Sequence, residues 1–204
     1  MIVHGLIYYL IFLISIVLHE AAHAKTALLL GDDSDDVKKR ITLNPLPHID
    51  IFGTLFIPIA LFVSGSTIVF GWAKPVMVRS GAIRGGHKGM ALISFAGPAA
   101  NLIVAGFLIV VLKFSILFFQ IKLVFYEYFL FGILINIVLF LLNMMPVPPL
   151  DGSALLSAVL KEEWRVWYLK YGVFFMIPLM LLIFFGLFDG TIVYLFDYIR
   201  TVLL

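Results

Sequence analysis

Cysteine does not occur in this 204-residue chain. Disulfides, thiolate ligands and a cysteine nucleophile are excluded, so any metal held by protein atoms must be bound through His, Asp or Glu. Charge is scarce as well: 13% of the residues are Asp, Glu, Lys or Arg against 63% hydrophobic, with a mean hydropathy of +1.12. Such proportions lie outside the range of water-soluble domains and make lipid the expected solvent. The net charge is only +2 and the basic residues are scattered between apolar runs, which leaves no basic patch and excludes nucleic acid as a partner. The first residues lack a basic leader region and their apolar run passes any small-residue cleavage site, so they read as a retained span and not a signal peptide.

What the chain does have is a series of long apolar runs. A helix crosses a bilayer in about 20 residues, and the spacing predicts an all-α polytopic membrane protein of about five to six transmembrane helices. A single transmembrane domain then occupies residues 1–204. Long spans are expected from Ile2 to Leu30, Met90 to Phe119 and Leu123 to Met145. A further run, Val173 to Phe188, follows an interfacial belt of Trp164, Trp167 and Tyr168, and the tail from Thr191 to Leu204 is a candidate sixth, short span. Between the first two long spans lies Phe52 to Phe70, broken by Pro58 and Gly65 and followed by Gly71 and the extended-looking Trp72-Ala73-Lys74-Pro75. These breaks predict a re-entrant or β-hairpin segment that enters the membrane and returns to the same side.

Chemistry enters with His19-Glu20-Ala21-Ala22-His23 inside the first span. Positions i and i+4 share a helix face, so both imidazoles can reach one metal ion, with a carboxylate beside them. Zn²⁺ held there would activate water, and Glu20 would take the proton. Ionised residues at mid-bilayer cost about 2.5–3.5 kcal/mol each on insertion scales, which argues against a chance match. A catalytic zinc takes three protein ligands, and Asp151 is the best third candidate. It ends Asn143-Met144-Met145-Pro146-Val147-Pro148-Pro149-Leu150-Asp151-Gly152, where three prolines break the span and present a carboxylate on irregular backbone; the plainer alternative is a turn at a helix end.

Together, HEAAH, then GPAAN at Gly97 to Asn101, then NMMPVPPLDG resemble the ordered signature of the site-2 protease family of intramembrane zinc metalloproteases. NPLPHID at Asn44 to Asp50 and GWAKPV at Gly71 to Val76 resemble its compact bacterial and archaeal branch, which lacks appended PDZ or CBS domains. The resemblance covers nearly the whole chain. It implies His19, His23 and Asp151 as ligands of one Zn²⁺ per chain, Glu20 as general base, Asn143 as a polar group near the reacting carbonyl, and Asn101 as an organiser of the core. The chain departs from the family pattern at Ile51, where Pro is frequent, and at Ser153 and Ala154, where Gly and Arg are.

Other polar residues have plainer readings. His4 is interfacial and His87 a solvated loop residue, and His48 is either simply an exposed loop residue or one that orients a loop or the surroundings of the metal. Gly97-Pro98-Ala99-Ala100 reads as close helix packing, and Asn101, Asn136 and Asn143 as interhelical hydrogen-bonding groups.

The function expected is that of an intramembrane zinc metalloprotease in the cell membrane, hydrolysing peptide bonds of transmembrane protein substrates within or beside the lipid bilayer. The alternative is a transporter or ion channel using the same His, Glu and Asp without hydrolysis; a di-iron oxygenase would need more His clusters than the one present. Ligation by one ion requires the ends of the first span and of Leu123 to Met145 to share a side, so Phe52 to Phe70 must cross zero or two times. That arrangement gathers Lys38, Lys39, Arg40, Lys74, Arg79, Arg84, Lys88, Lys161, Arg165 and Lys170 on one side and leaves little beyond Lys122 opposite. The positive-inside rule then places the active site towards the cytoplasm.

Overall fold

The computed structural model of the chain describes residues 2–63, 71–119, 123–186 and 189–203. All regular structure among the described residues is helical. Helix α1 spans Ile2–Leu30, α2 Asp35–Arg40 and α3 Ile57–Val63. Helix α4 spans Gly86–Phe119 and α5 Leu123–Asn143. The short α6, Gly152–Val159, leads to α7, Glu162–Tyr171, then α8, Met176–Phe184, and α9, Asp189–Leu203. The long spans thus start and stop within a few residues of their expected limits.

Among the described residues, four stretches are long and apolar enough to cross a membrane: Val3–Leu30, Gly86–Phe118, Phe125–Asn143 and Glu162–Ile183. The other two expected segments are short helices, α3 of 7 residues and α9 of 15. At a rise of about 1.5 Å per residue, α9 is near 22 Å long, less than a hydrocarbon core of about 30 Å.

The bundle is apolar outside and polar within. Val3, Leu6, Leu10 and Ile14 form an exposed row along α1, as do Ile103, Phe107, Val110, Phe114 and Leu117 along α4. Spacings of three and four put each row on one face, which suits contact with acyl chains. Ser15, His19, His23, Asn101 and Asn136 are buried. Lipid removes the hydrophobic drive between helices, so close packing and interhelical hydrogen bonds hold such a bundle together.

Contacts fix the directions of the three central helices. His4 meets Tyr128, Tyr8 packs on Phe131 with ring centroids 4.6 Å apart, and Ser15 meets Asn136, so α1 and α5 run parallel. His23 faces Ile93 while His19 faces Asn101, so α4 runs antiparallel to α1. The C-terminal ends of α1 and α5 therefore share a side, as ligation of one ion requires. Leu112, Tyr126, Leu130 and Ile133 pack together with Ile199 of α9 at the other end.

At the shared end, α1 stops in a Schellman turn: Asp32 N–H reaches Ala27 O at 3.0 Å, Gly31 N–H reaches Leu28 O at 3.1 Å, and Gly31 takes φ 118°. Asp32, fully buried, then anchors residues 71–84. Its carboxylate accepts from Arg79 N–H at 2.7 Å and Arg79 Nε at 3.1 Å, and from Ser34 N–H at 3.0 Å. Burial works against ionisation, yet these hydrogen bonds outweigh it and hold the Asp32 carboxyl at about 2. Arg84 N–H binds Leu30 O, Met77 N–H binds Asp36, and the Arg40 guanidinium donates to Lys74 O. An irregular strap thereby crosses the end of α1 with its donors turned inward.

Where a re-entrant or β-hairpin segment was expected, residues 51–63 are helical: a π-helical turn, Ile51–Phe56, capped by Asp50, runs into α3. No strand forms there among the described residues, because Asp50 accepts from Phe52 and Gly53 N–H and starts a helix instead. The strap touches this region at two points: Trp72 N–H donates to Gly53 O and Lys74 N–H to His48 O. Residues 64–70 lie outside the described residues, as does Lys122.

Candidate metal centre

The two imidazoles of α1 are oriented by what their Nδ1 atoms touch. His23 Nδ1 lies 2.7 Å from the backbone carbonyl of Ile93, which can only accept, so Nδ1 carries the proton and Nε2 keeps its lone pair. His19 Nδ1 lies 2.6 Å from Asn101 Oδ1 and is fixed the same way. Both Nε2 atoms then face each other at 3.0 Å. Asp151 Oδ2 completes a triangle, 3.1 Å from His19 Nε2 and 3.4 Å from His23 Nε2.

Three electron-pair donors this close repel one another unless a cation lies between them. A tetrahedral zinc with bonds of about 2.0–2.2 Å holds its ligand atoms about 3.3–3.6 Å apart, and the observed edges are that size or slightly shorter. Among the described residues, His19, His23 and Asp151 are the one group of three or more such side chains with this geometry. The donor set, two imidazoles and a carboxylate, fits Zn²⁺.

Asp151 arrives by a loop built for close approach. It occupies the N-cap position of α6, yet its side chain makes no capping hydrogen bond and is free to point at the histidines. Gly152 packs against the carbonyls of Met144 and Met145, where any Cβ would overlap them. Tyr168 Oη donates to Pro146 O at 2.9 Å and pins the proline-rich turn. Tyr168 is therefore a buried brace, unlike the exposed Trp164 and Trp167.

Glu20 is half-buried beside the pair, and its Oε2 accepts from Val76 N–H of the strap at 3.3 Å. Asn143 ends α5, and its amide donates to Leu139 O at 3.0 Å, within its own helix. His48 stands apart from the cluster: it is buried, with Nε2 3.2 Å from Thr42 O, and burial keeps its imidazole below the usual range. The reading of an exposed loop histidine therefore fails, and the contact with Thr42 O favours a role in orienting the loop.

Gly97 bears on the site more directly than its sequence reading as helix packing allowed. A Cβ at this position would overlap Nε2 of both His23 and His19. The signal was a glycine within a span, next to a proline; only the fold shows that it faces the histidines. The carbonyl of Ile93 carries no signal at all, since every residue has one.

Comparison with known proteins bears on this geometry. "Putative zinc metalloprotease YwhC" of Bacillus subtilis is 38% identical over 152 residues, covering 71% of this chain and 65% of that protein. "Putative zinc metalloprotease Rip2" of Mycobacterium tuberculosis is 30% identical over 189 residues, 91% of this chain and 71% of that protein. Residues 118–184 match the model of peptidase family M50. The chain belongs to peptidase family M50. This is the site-2 protease family that its motifs resemble. Against Rip2 of Mycolicibacterium smegmatis, 31% identical, the chain spans 56% of the relative's length. No solved structure matches.

A methyl group at position 97 would occupy the space where the two Nε2 lone pairs meet. Gly97→Ala is expected to weaken zinc binding by at least about tenfold, the scale on which displaced supporting groups act at metal sites, while the helical content by circular dichroism stays unchanged. Competition against a chelator of known affinity measures this, and an unchanged Kd would show that the ion binds elsewhere.

Proposed function

We propose that this chain is an intramembrane zinc metalloprotease that hydrolyses peptide bonds of transmembrane protein substrates within or beside the lipid bilayer. The observation that carries the reading is the triangle of His19, His23 and Asp151 with Glu20 adjacent in sequence. Two carboxylates and two neutral imidazoles balance one dication, which makes the group tolerable among apolar helices. Zinc bound there supplies Lewis-acid activation of water and of the scissile carbonyl.

The protein's own groups do the rest. His19, His23 and Asp151 hold the ion; Glu20 accepts the proton released as the peptide carbonyl is attacked and returns it to the leaving amine. The hydrogen bond from Val76 N–H holds the Glu20 carboxylate at the strap, on the side where irregular backbone can admit water. Asn143, near the end of α5, is the candidate donor to the developing oxyanion, through the amide proton that Leu139 O does not take. A transporter or channel would need no general base beside the metal ligands.

Glu20→Gln is expected to abolish cleavage of a transmembrane substrate in detergent while one zinc per chain remains bound, because the Glu is base and not ligand. Asp151→Asn is expected to lower zinc occupancy as well as turnover, since a neutral amide is a poorer ligand for a dication. Retained turnover in the first variant would remove the mechanism; full occupancy in the second would move the third ligand elsewhere.

The same geometry supports a reading of the membrane side. Residues 32–40 and 71–84 meet at the C-terminal end of α1, which supports a segment between α1 and α4 that enters the bilayer and returns. Positive residues then gather at the end bearing Asp151, which the positive-inside rule assigns to the cytoplasm, in a multi-pass protein of the cell membrane. Single cysteines in place of Lys39, Lys88 and Lys122 test this with a membrane-impermeant thiol reagent applied to intact cells. Positions 39 and 88 are expected to resist labelling and position 122 to react; opposite behaviour of 39 and 88 would defeat the re-entrant path.

A further inference from the structure

A buried chain of side chains links His19 to three backbone carbonyls. Asn136 Nδ2 lies 2.8 Å from Gly132 O and 2.9 Å from Ser15 Oγ, and the Ser15 hydroxyl in turn donates to Ile11 O at 2.9 Å. Asn136 Oδ1 accepts from Asn101 Nδ2 at 2.8 Å, and the other proton of that amide points to Ser15 O at 3.3 Å. Asn101 Oδ1 then faces His19 Nδ1. Ser15, Asn101 and Asn136 are at most 2% exposed, so water does not compete for any of these bonds.

The polarity of the chain is not arbitrary. An asparagine amide turned by 180° exchanges its donor end for its acceptor end. The carbonyls of Gly132 and Ser15 can only accept, so they fix which way the Asn136 and Asn101 amides face. With Asn101 Oδ1 towards the imidazole, His19 must carry its proton on Nδ1 and keep Nε2 free. Turned over, Asn101 would offer N–H to Nδ1, drive the proton to Nε2, and remove a ligand. His23 needs no such relay, because its Nδ1 donates directly to Ile93 O.

We propose that Asn136 is a positioning residue that selects the metal-binding tautomer of His19 by fixing the orientation of the Asn101 amide. The inference rests on the reading of His19 as a metal ligand and adds a residue of α5 to the site's support. It also gives Ser15 a task, since its carbonyl and hydroxyl each take one proton of the two amides.

The test is zinc affinity, read by chelator competition alongside the melting temperature of the metal-free protein. Asn136→Leu removes the acceptor that orients Asn101 and is expected to weaken zinc binding about 10–100-fold. Asn136→Asp keeps an acceptor of the same shape and should bind within about threefold of the unaltered protein, even if it melts lower. The decisive variant is Asn101→Asp/Asn136→Leu. A carboxylate presents an acceptor to His19 in either orientation, so the double variant should recover most of the affinity that Asn136→Leu loses. A purely packing role predicts the reverse order, with Leu tolerated and Asp harmful. The proposal is overturned if Asn136→Leu binds zinc as tightly as the unaltered protein, if Asn136→Asp loses as much as Asn136→Leu, or if the double variant is no better than the single. Failure of the unaltered protein to bind zinc would instead refute the metal site itself.

Discussion

Two imidazole nitrogens and a carboxylate oxygen lie within 3.4 Å of one another in a protein whose outer surface is made for lipid. Each of the three presents an electron pair, because Ile93 O and Asn101 Oδ1 have claimed the protons on the other ring nitrogens. Without a cation that arrangement is repulsive, and in a medium of low dielectric the repulsion is large. Much of the fold can be understood as what is needed to bring these three atoms together and keep them there.

Parallel α1 and α5 put the HEAAH turn and the start of α6 at the same end, and antiparallel α4 slides Gly97 between the histidines with no side chain to intrude. The proline-rich turn frees Asp151 from capping duty, and Tyr168 fastens that turn. Over the open end lies the strap, held by Asp32, Asp36, Leu30 and Arg40, with one inward N–H on Glu20. Two candidate ligands and Glu20 thus stand on α1 itself, while Asp151 reaches them from the turn before α6 and the strap crosses over them.

Much of this was legible in the sequence, for identifiable reasons. The spans of α1, α4 and α5 announced themselves because lipid demands long apolar runs, and His19, His23 and Asp151 because ionisable groups are expensive there. The shared side of the two helix ends followed from the reach of one ion. Less visible were contacts that depend on neighbours: Tyr168 read as a lipid-interface residue until its hydroxyl was seen on Pro146 O. Gly97 looked like generic packing, and the helical path from Ile51 to Val63 was masked by β-branched residues that suit strand and helix alike. Asn136 read as one of three similar polar residues, because only the fold shows which asparagine touches which.

The measurement that tests the central claim most directly is zinc-edge X-ray absorption on the purified, detergent-solubilised chain, combined with metal analysis. The account predicts one zinc per chain, with two imidazole nitrogens at about 2.0–2.1 Å and carboxylate or water oxygen at about 2.0–2.2 Å. Imidazole scattering should fall when His19 or His23 is replaced by alanine. A protein that carries no zinc after metal supplementation, or a shell of oxygen atoms indifferent to both histidines, would contradict it.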